Sequence, residues 1–271
     1  MKTKIFWYTT FIFFSVIMIF PIIFAVSNSF KTLPDAIATI MSLIPHAPTM
    51  ENYVFLFYRL NIMRIIGNTF FIAGSVATFQ LITSVFAAYA LVFFEFRFKN
   101  QLYFILIATI FIPFTVTMIP NFITISRIGL MDHPVGVILP QLSNALGIFL
   151  MRQSMKMIPK PLIEYARLEK LGNLRIIKDI VIPLTKPAII SIGIIFFINS
   201  WNEFVWPMLI LRDNENFTLP LALQMFISAE GGSDFPTAMA LSVISIVVPL
   251  VLFLFLQRHI ISTFVSSGVK G

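Results

Sequence analysis

The chain has 271 residues, of which 58% are hydrophobic and 11% charged, with a mean hydropathy of +0.92. A soluble domain carries about 25% charged residues, so this composition cannot clothe a water-facing surface and reads as an integral membrane protein. The formal charge is +7 with no cysteine at all, which excludes disulfides, thiol nucleophiles and cysteine-held metals.

A helix crossing the hydrocarbon core needs about 20 mostly apolar residues. Six stretches meet or approach that length: 5–26, 65–94, 102–122, 135–151, 187–211 and 238–256. They are continuous apolar runs rather than alternating strands, so the expected fold is all-α, six spans in one membrane domain over residues 1–271. The first run exceeds the 7–15 apolar residues of a cleavable signal, and is expected to stay as an anchor helix. The fourth is short and interrupted by Pro140. With the N-terminus inside, the outer segments hold only Lys31, Arg59, Arg64, Arg127 and Arg212 of the 19 basic residues. The positive-inside bias therefore predicts both termini in the cytoplasm. Basic charge reports topology here, and no soluble basic face exists for a nucleic acid.

Two connections are long. Residues 27–64 form an outer loop carrying Pro34, Pro45 and Pro48, and residues 152–186 form a charged inner segment. In the inner segment Pro161 suits a first helical turn, Glu164 suits the N-terminal dipole, and Leu162, Ile163, Ala166 and Arg167 recur at helical spacing. Gly172 is expected as a left-handed stop and Asn173 as the cap of a second helix bearing Leu174, Ile177, Ile180 and Val181. Pro183 and Pro187 are expected to end that helix and turn the chain into span five. Such helices either rest in lipid headgroups or dock on protein.

Glu203 is the one charged residue inside a span. It lies about 24 Å along span five, counted from Pro187. A charge at that depth faces a cavity or a partner; contact with a transported molecule and a structural hydrogen bond both remain open for Glu203, Asn202 and Trp201. Pro113 and Pro120 bracket a helix-weak stretch with Thr115 and Thr117, either a kink or part of a path. The last outer loop, 212–237, carries Asp213, Glu215, Glu230, Asp234 and Gly231-Gly232, and is expected to be exposed. His46, His133 and His259 are scattered without metal-site spacing.

Glu164-Tyr165-Ala166, followed by Ile180-Val181-Ile182-Pro183, resembles the cytoplasmic-loop signature of ABC importer permeases. That signature reads Glu-Ala-Ala, three residues, Gly, nine residues, Ile-x-Leu-Pro. Tyr165 replaces the first Ala, Ile182 replaces Leu, and Lys170 stands at the Gly position, with Gly172 two residues later. Ser200-Trp201-Asn202-Glu203-Phe204 through Trp206-Pro207, Phe149–Gln153 leading to Ile158-Pro159, and Asn68-Thr69 are similar to the second permease of maltose-like and glycerol-3-phosphate-like importers.

The resemblance, over roughly residues 65–260, implies a type I importer permease moving a carbohydrate or related polyol. It implies a coupling helix touching a separate ATPase through Glu164, Tyr165, Ala166, Arg167, Glu169, Lys170 and Gly172, with Trp201, Asn202 and Glu203 as candidates for the substrate path. The implied partners are a second, non-identical permease, two copies of an ATP-binding subunit, an extracytoplasmic solute-binding protein, and the lipid of a bacterial inner membrane. No Gly-x4-Gly-Lys-Ser/Thr stretch occurs in this chain, so ATP and Mg are expected on the partner, with no cofactor and no catalytic residue here. The competing classes are a polytopic membrane enzyme, which needs clustered His, Asp or Glu, and a secondary transporter, which usually carries several intramembrane charges.

Overall fold

The computed structural model describes residues 2–39, 42–227 and 234–268. Every regular element in them is helical. The chain divides into two compact units, Met1–Gly67 with Phe217–Val251, and Asn68–Asn216 with Leu252–Gly271.

In the first unit, α1 (Lys2–Ser29) is apolar on all sides, and Phe6, Phe13 and Met18 are all exposed. At 1.5 Å per residue it extends about 42 Å, more than the hydrocarbon core requires. Helices α2 (Leu33–Ala38) and α3 (Glu51–Tyr58) follow, so the long loop expected over 27–64 carries ordered elements of its own. Their polar groups hold the end of α1. The Asn52 Nδ2 donates to the carbonyls of Ser29 at 2.8 Å and Lys31 at 2.9 Å. Lys31 is completely buried, its Nζ donating to the carbonyls of Thr39 at 2.9 Å and Ser42 at 2.7 Å. A lysine that reads as an exposed loop charge is instead a cross-link between backbone segments. His46 sits against Asp35, Nδ1 to Oδ1 at 3.2 Å.

α4 (Ile62–Phe93) is an uninterrupted helix of 32 residues and the frame of the second unit. The third and fourth spans are not straight. α5 (Lys99–Ala108), with a 3-10 turn at Thr109–Phe111, meets α6 (Phe114–Arg127) at 96°. Pro113 causes this break: it has no N–H to donate back, and Ile112 before it is extended. α7 (Pro134–Ile138), with its 3-10 turn Leu139–Gln141, meets α8 (Ala145–Met155) at 49°. There Asn144 caps α8 by accepting from the Gly147 N–H at 3.2 Å, while α4 satisfies the freed carbonyls. Gln80 donates to Gln141 O at 2.9 Å and Thr83 to Leu142 O at 3.0 Å. Among the described residues four helices are long and apolar enough to cross a membrane alone, and counting each bent pair as one span gives six.

After α9 (Lys160–Leu168), α10 (Asn173–Ile176) runs through a π-helical turn, Ile177–Val181, into α11 (Ile182–Trp201). The expectation that Pro183 and Pro187 end the second short helix is wrong. The helix is continuous from Asn173 to Trp201, and the wider π turn makes room where Pro183 cannot donate to the preceding turn. α12 (Val205–Ile210) follows; α13 (Leu219–Ile227) and the start of α14 (Phe235–Gly268) belong to the first unit. Glu230, Gly231 and Gly232 lie outside the described residues.

The core of the second unit joins α4 (Ala77, Val85, Ala88, Tyr89), α8 (Met151, Met155), α9 (Ile163, Ala166), Ile176, Ile177, Val181 and α11 (Ile192, Phe196). Among spans, lipid is as apolar as the side chains, so close packing rather than water exclusion drives such contacts. Gly147 shows how close: a Cβ there would stand 2.2 Å from the Phe196 ring and 2.6 Å from the Ser84 Oγ.

Candidate functional site

α9 has one buried stripe, Ile163 and Ala166, set in the core of its own chain. Its other side is open, with Leu168 76% exposed, Tyr165 68% exposed, and Glu164 and Glu169 exposed beside them. Leu174 on α10 is also exposed, at 72%. Ala166 therefore faces inward, and any partner meets α9 through Tyr165, Leu168 and the two glutamates.

The end of α9 is a Schellman turn. The Leu171 N–H donates to Ala166 O at 3.1 Å and the Lys170 N–H to Arg167 O at 2.9 Å. The left-handed residue this turn needs is Lys170, at φ +58°, while Gly172 is extended and serves as the cap before α10. The expected left-handed stop at Gly172 is thus corrected. Leu171 packs on the core, which fixes where the turn lies, and Lys170 accepts the strained conformation.

Two polar ties bind this segment to α4. Arg167 Nη2 donates to Phe93 O at 2.8 Å, and the guanidinium carbon lies 5.2 Å from the centre of the Phe94 ring. The Tyr89 hydroxyl donates to Asn173 Oδ1 at 3.1 Å. These ties join the segment to α4, and the continuous helix from Asn173 to Trp201 joins it to α11.

At the far end of α11, Trp201 is buried, stacked on Phe197 (centroids 5.6 Å apart) and edge-on to Phe70 (4.9 Å). Asn202 is exposed. Glu203 fills the break between α11 and α12, its Oε1 accepting from the N–H groups of Val205 at 3.1 Å and Trp206 at 3.3 Å. A carboxylate there satisfies helix-start donors that would otherwise be unpaired in an apolar setting. Trp206 is also buried, and its Nε1 donates to Val137 O at 3.1 Å. These three adjacent residues thus do different things: Trp201 packs, Glu203 caps, and Asn202 is left open.

Sequence patterns gave no notice of Asp132. At φ +55°, its N–H donates to Ile210 O at 2.8 Å. Its Oδ1 accepts from the backbone N–H of Arg212 at 2.9 Å and of Asp213 at 3.1 Å, and from Asn216 Nδ2 at 3.1 Å. Those backbone donors, Arg212 first, hold the carboxyl below its ordinary value. A loop aspartate bonding residues eighty positions away leaves no local signal. His133 beside it accepts from the Val135 N–H through Nδ1 at 3.1 Å, capping α7. Among the described residues no three His, Asp or Glu side chains gather as a metal site would require.

The family model for the inner membrane component of binding-protein-dependent transport systems matches residues 80–266. The arabinooligosaccharides transport system permease protein AraQ of Halalkalibacterium halodurans is 30% identical, covering 96% of this chain and 94% of its own. The sn-glycerol-3-phosphate transport system permease protein UgpE of Rhizobium meliloti is 28% identical, with 93% and 92% covered. Among solved structures, a bacterial ABC transporter involved in import of the acidic polysaccharide alginate aligns at a TM-score of 0.82 and 26% identity, over 94% of this chain and 95% of that one.

Proposed function

The chain belongs to the family of inner membrane components of binding-protein-dependent transport systems, and on that premise we propose that it is the permease subunit through which an ATP-driven importer passes a carbohydrate or related polyol. The names of its relatives, which handle arabinooligosaccharides and sn-glycerol-3-phosphate, support that substrate class. ATP is hydrolysed on a separate subunit, present in two copies, and a second, non-identical permease completes the path. A binding protein outside the membrane delivers the solute.

The observation that carries the mechanism is the two-sided character of α9. One side is built into the core with α4 and α11, and the other offers Tyr165 and Leu168 between Glu164 and Glu169, with Leu174 exposed on α10. Docked in a cleft of the ATP-binding subunit, α9 moves as that subunit closes. The ties Arg167–Phe93 and Tyr89–Asn173, and the continuous helix to Trp201, pass that motion to the spans. At the other end, Asn202 is the open polar group for a hydroxyl-bearing solute, while Glu203 and Trp201 keep the break in shape around it.

This assignment puts α9 and both termini in the cytoplasm. Leu168→Glu tests it, because Leu168 is 76% exposed and its loss removes no core contact. The variant should insert normally, yet lose the co-purifying ATP-binding subunit or uncouple its hydrolysis from solute. Unchanged association and uptake would refute the docking role. Ala166→Arg is the weaker test, since Ala166 is 6% exposed and an arginine there disturbs this chain's own core.

A further inference from the structure

Beside the root of α9 the second unit has a cavity of about 390 Å³, lined in part by Glu95, Lys99, Arg152, Lys156 and Lys160. The single carboxylate is already engaged: Lys99 Nζ donates to Glu95 Oε1 at 3.1 Å and to Phe94 O at 2.7 Å. Arg152 is held by a ring rather than by an anion, its guanidinium carbon 3.8 Å from the centre of Tyr103. Its Nε is buried with no hydrogen-bond partner. Lys156 and Lys160 are exposed at the edge. Four cations line this cavity against one carboxylate, which Lys99 already engages, so its net charge is positive and suits a multivalent oxyanion.

Its surroundings indicate where that anion comes from. Leu91, Val92 and Ile158 form apolar walls, and Phe98 at the rim is 58% exposed. Next to it α5 exposes Leu102, Phe104 and Ile105, 51%, 74% and 61%, with Leu102 and Ile105 one turn apart on the same face. Free phosphate has no use for such apolar surface. An amphiphile does: its headgroup enters the cavity and its acyl chains lie along α5.

We propose that this cavity binds the phosphate headgroup of an anionic phospholipid of the cytoplasmic leaflet, beside the coupling helix. The position on that leaflet rests on the orientation proposed above. The bound lipid bridges the end of α4, the start of α5 and the end of α8, and so stiffens the seat from which α9 works. Removing one cation from such a site weakens anionic lipid by about fivefold.

The test uses the assembled importer in nanodiscs of phosphatidylcholine with or without phosphatidylglycerol, and counts retained lipid by native mass spectrometry. This readout needs neither transport nor ATP coupling, so its failure is distinct from failure of the importer assignment. The intact complex should retain phosphatidylglycerol. Lys156→Gln should lower its occupancy about fivefold, and Arg152→Gln should lower it at least as much. Lys156 lies outside α9 and is exposed, so that variant keeps the measurement valid if Arg152→Gln fails to fold. Equal retention in wild type and Lys156→Gln would overturn the proposal, as would displacement of the lipid by millimolar inorganic phosphate. Loss of the ATP-binding subunit from Lys156→Gln, with lipid retention unchanged, would assign the cations to that subunit instead.

Discussion

The guanidinium of Arg167 donates to the carbonyl of Phe93, the last residue of α4, at 2.8 Å. A helix end has carbonyls with no partner of their own, and a cation there also meets the negative end of the dipole. The bond thus closes α4 and fastens α9 to it. Arg167→Met keeps much of the stem and removes the bond, at a cost of about 1 kcal/mol. The expected result is a complex that assembles and hydrolyses ATP but shows reduced uptake per ATP, measured in proteoliposomes. Unchanged uptake per ATP would show that the tie carries no motion.

Lys170 provides a test in the stabilising direction. A side chain in the left-handed region costs about 1–2 kcal/mol, partly offset because glycine loses more entropy on folding. With φ at +58° and an exposed side chain, Lys170→Gly should stabilise the complex by about 0.5–1 kcal/mol. A thermal melt of the purified complex reads this as a small rise in Tm. A lowered Tm would mean that the lysine side chain makes a contact worth more than the strain.

Glu203 separates shape from charge. Gln offers the same acceptor to the N–H groups of Val205 and Trp206, whereas Ala offers none. Glu203→Gln should keep near-normal yield and uptake, and Glu203→Ala should lose about 1 kcal/mol, with uptake falling alongside stability. Abolished uptake in an intact Glu203→Gln complex would place the charge itself in the transport path.

Asp132 links two loops of the second unit to pH. Its folded pKa is depressed, so its contribution is complete above the ordinary carboxylate value of 3.8 and is lost as pH falls through the lower folded value. Asp132→Asn retains an acceptor and tolerates the positive φ, but does not titrate. Wild type should melt above Asp132→Asn at pH 7, and that advantage should vanish as the pH falls below 3.8. A constant gap between them down to pH 3 would rule out this carboxylate as the cause.

Composition alone determined that this chain enters a membrane as helices, because too few charges exist to support any other surface. The order of residues from Glu164 to Pro183, taken with the stretches around Asn68, Phe149 and Trp201, named the family, since such segments are local and their spacing survives in one dimension. Only the tertiary structure decided which way those residues face. Ala166 turns inward because Ile163, one turn away, shares its stripe and the core lies there. Lys170 rather than Gly172 takes the left-handed turn because Leu171 must reach that core. The helix through Pro183 stays whole because a π turn absorbs the missing donor, a choice that helix propensities do not predict. Lys31 and Asp132 read as loop charges, yet they are bonded to backbone groups distant in sequence. Apolar periodicity records how a residue meets lipid or core, but says nothing of which distant carbonyl or N–H a polar side chain will find.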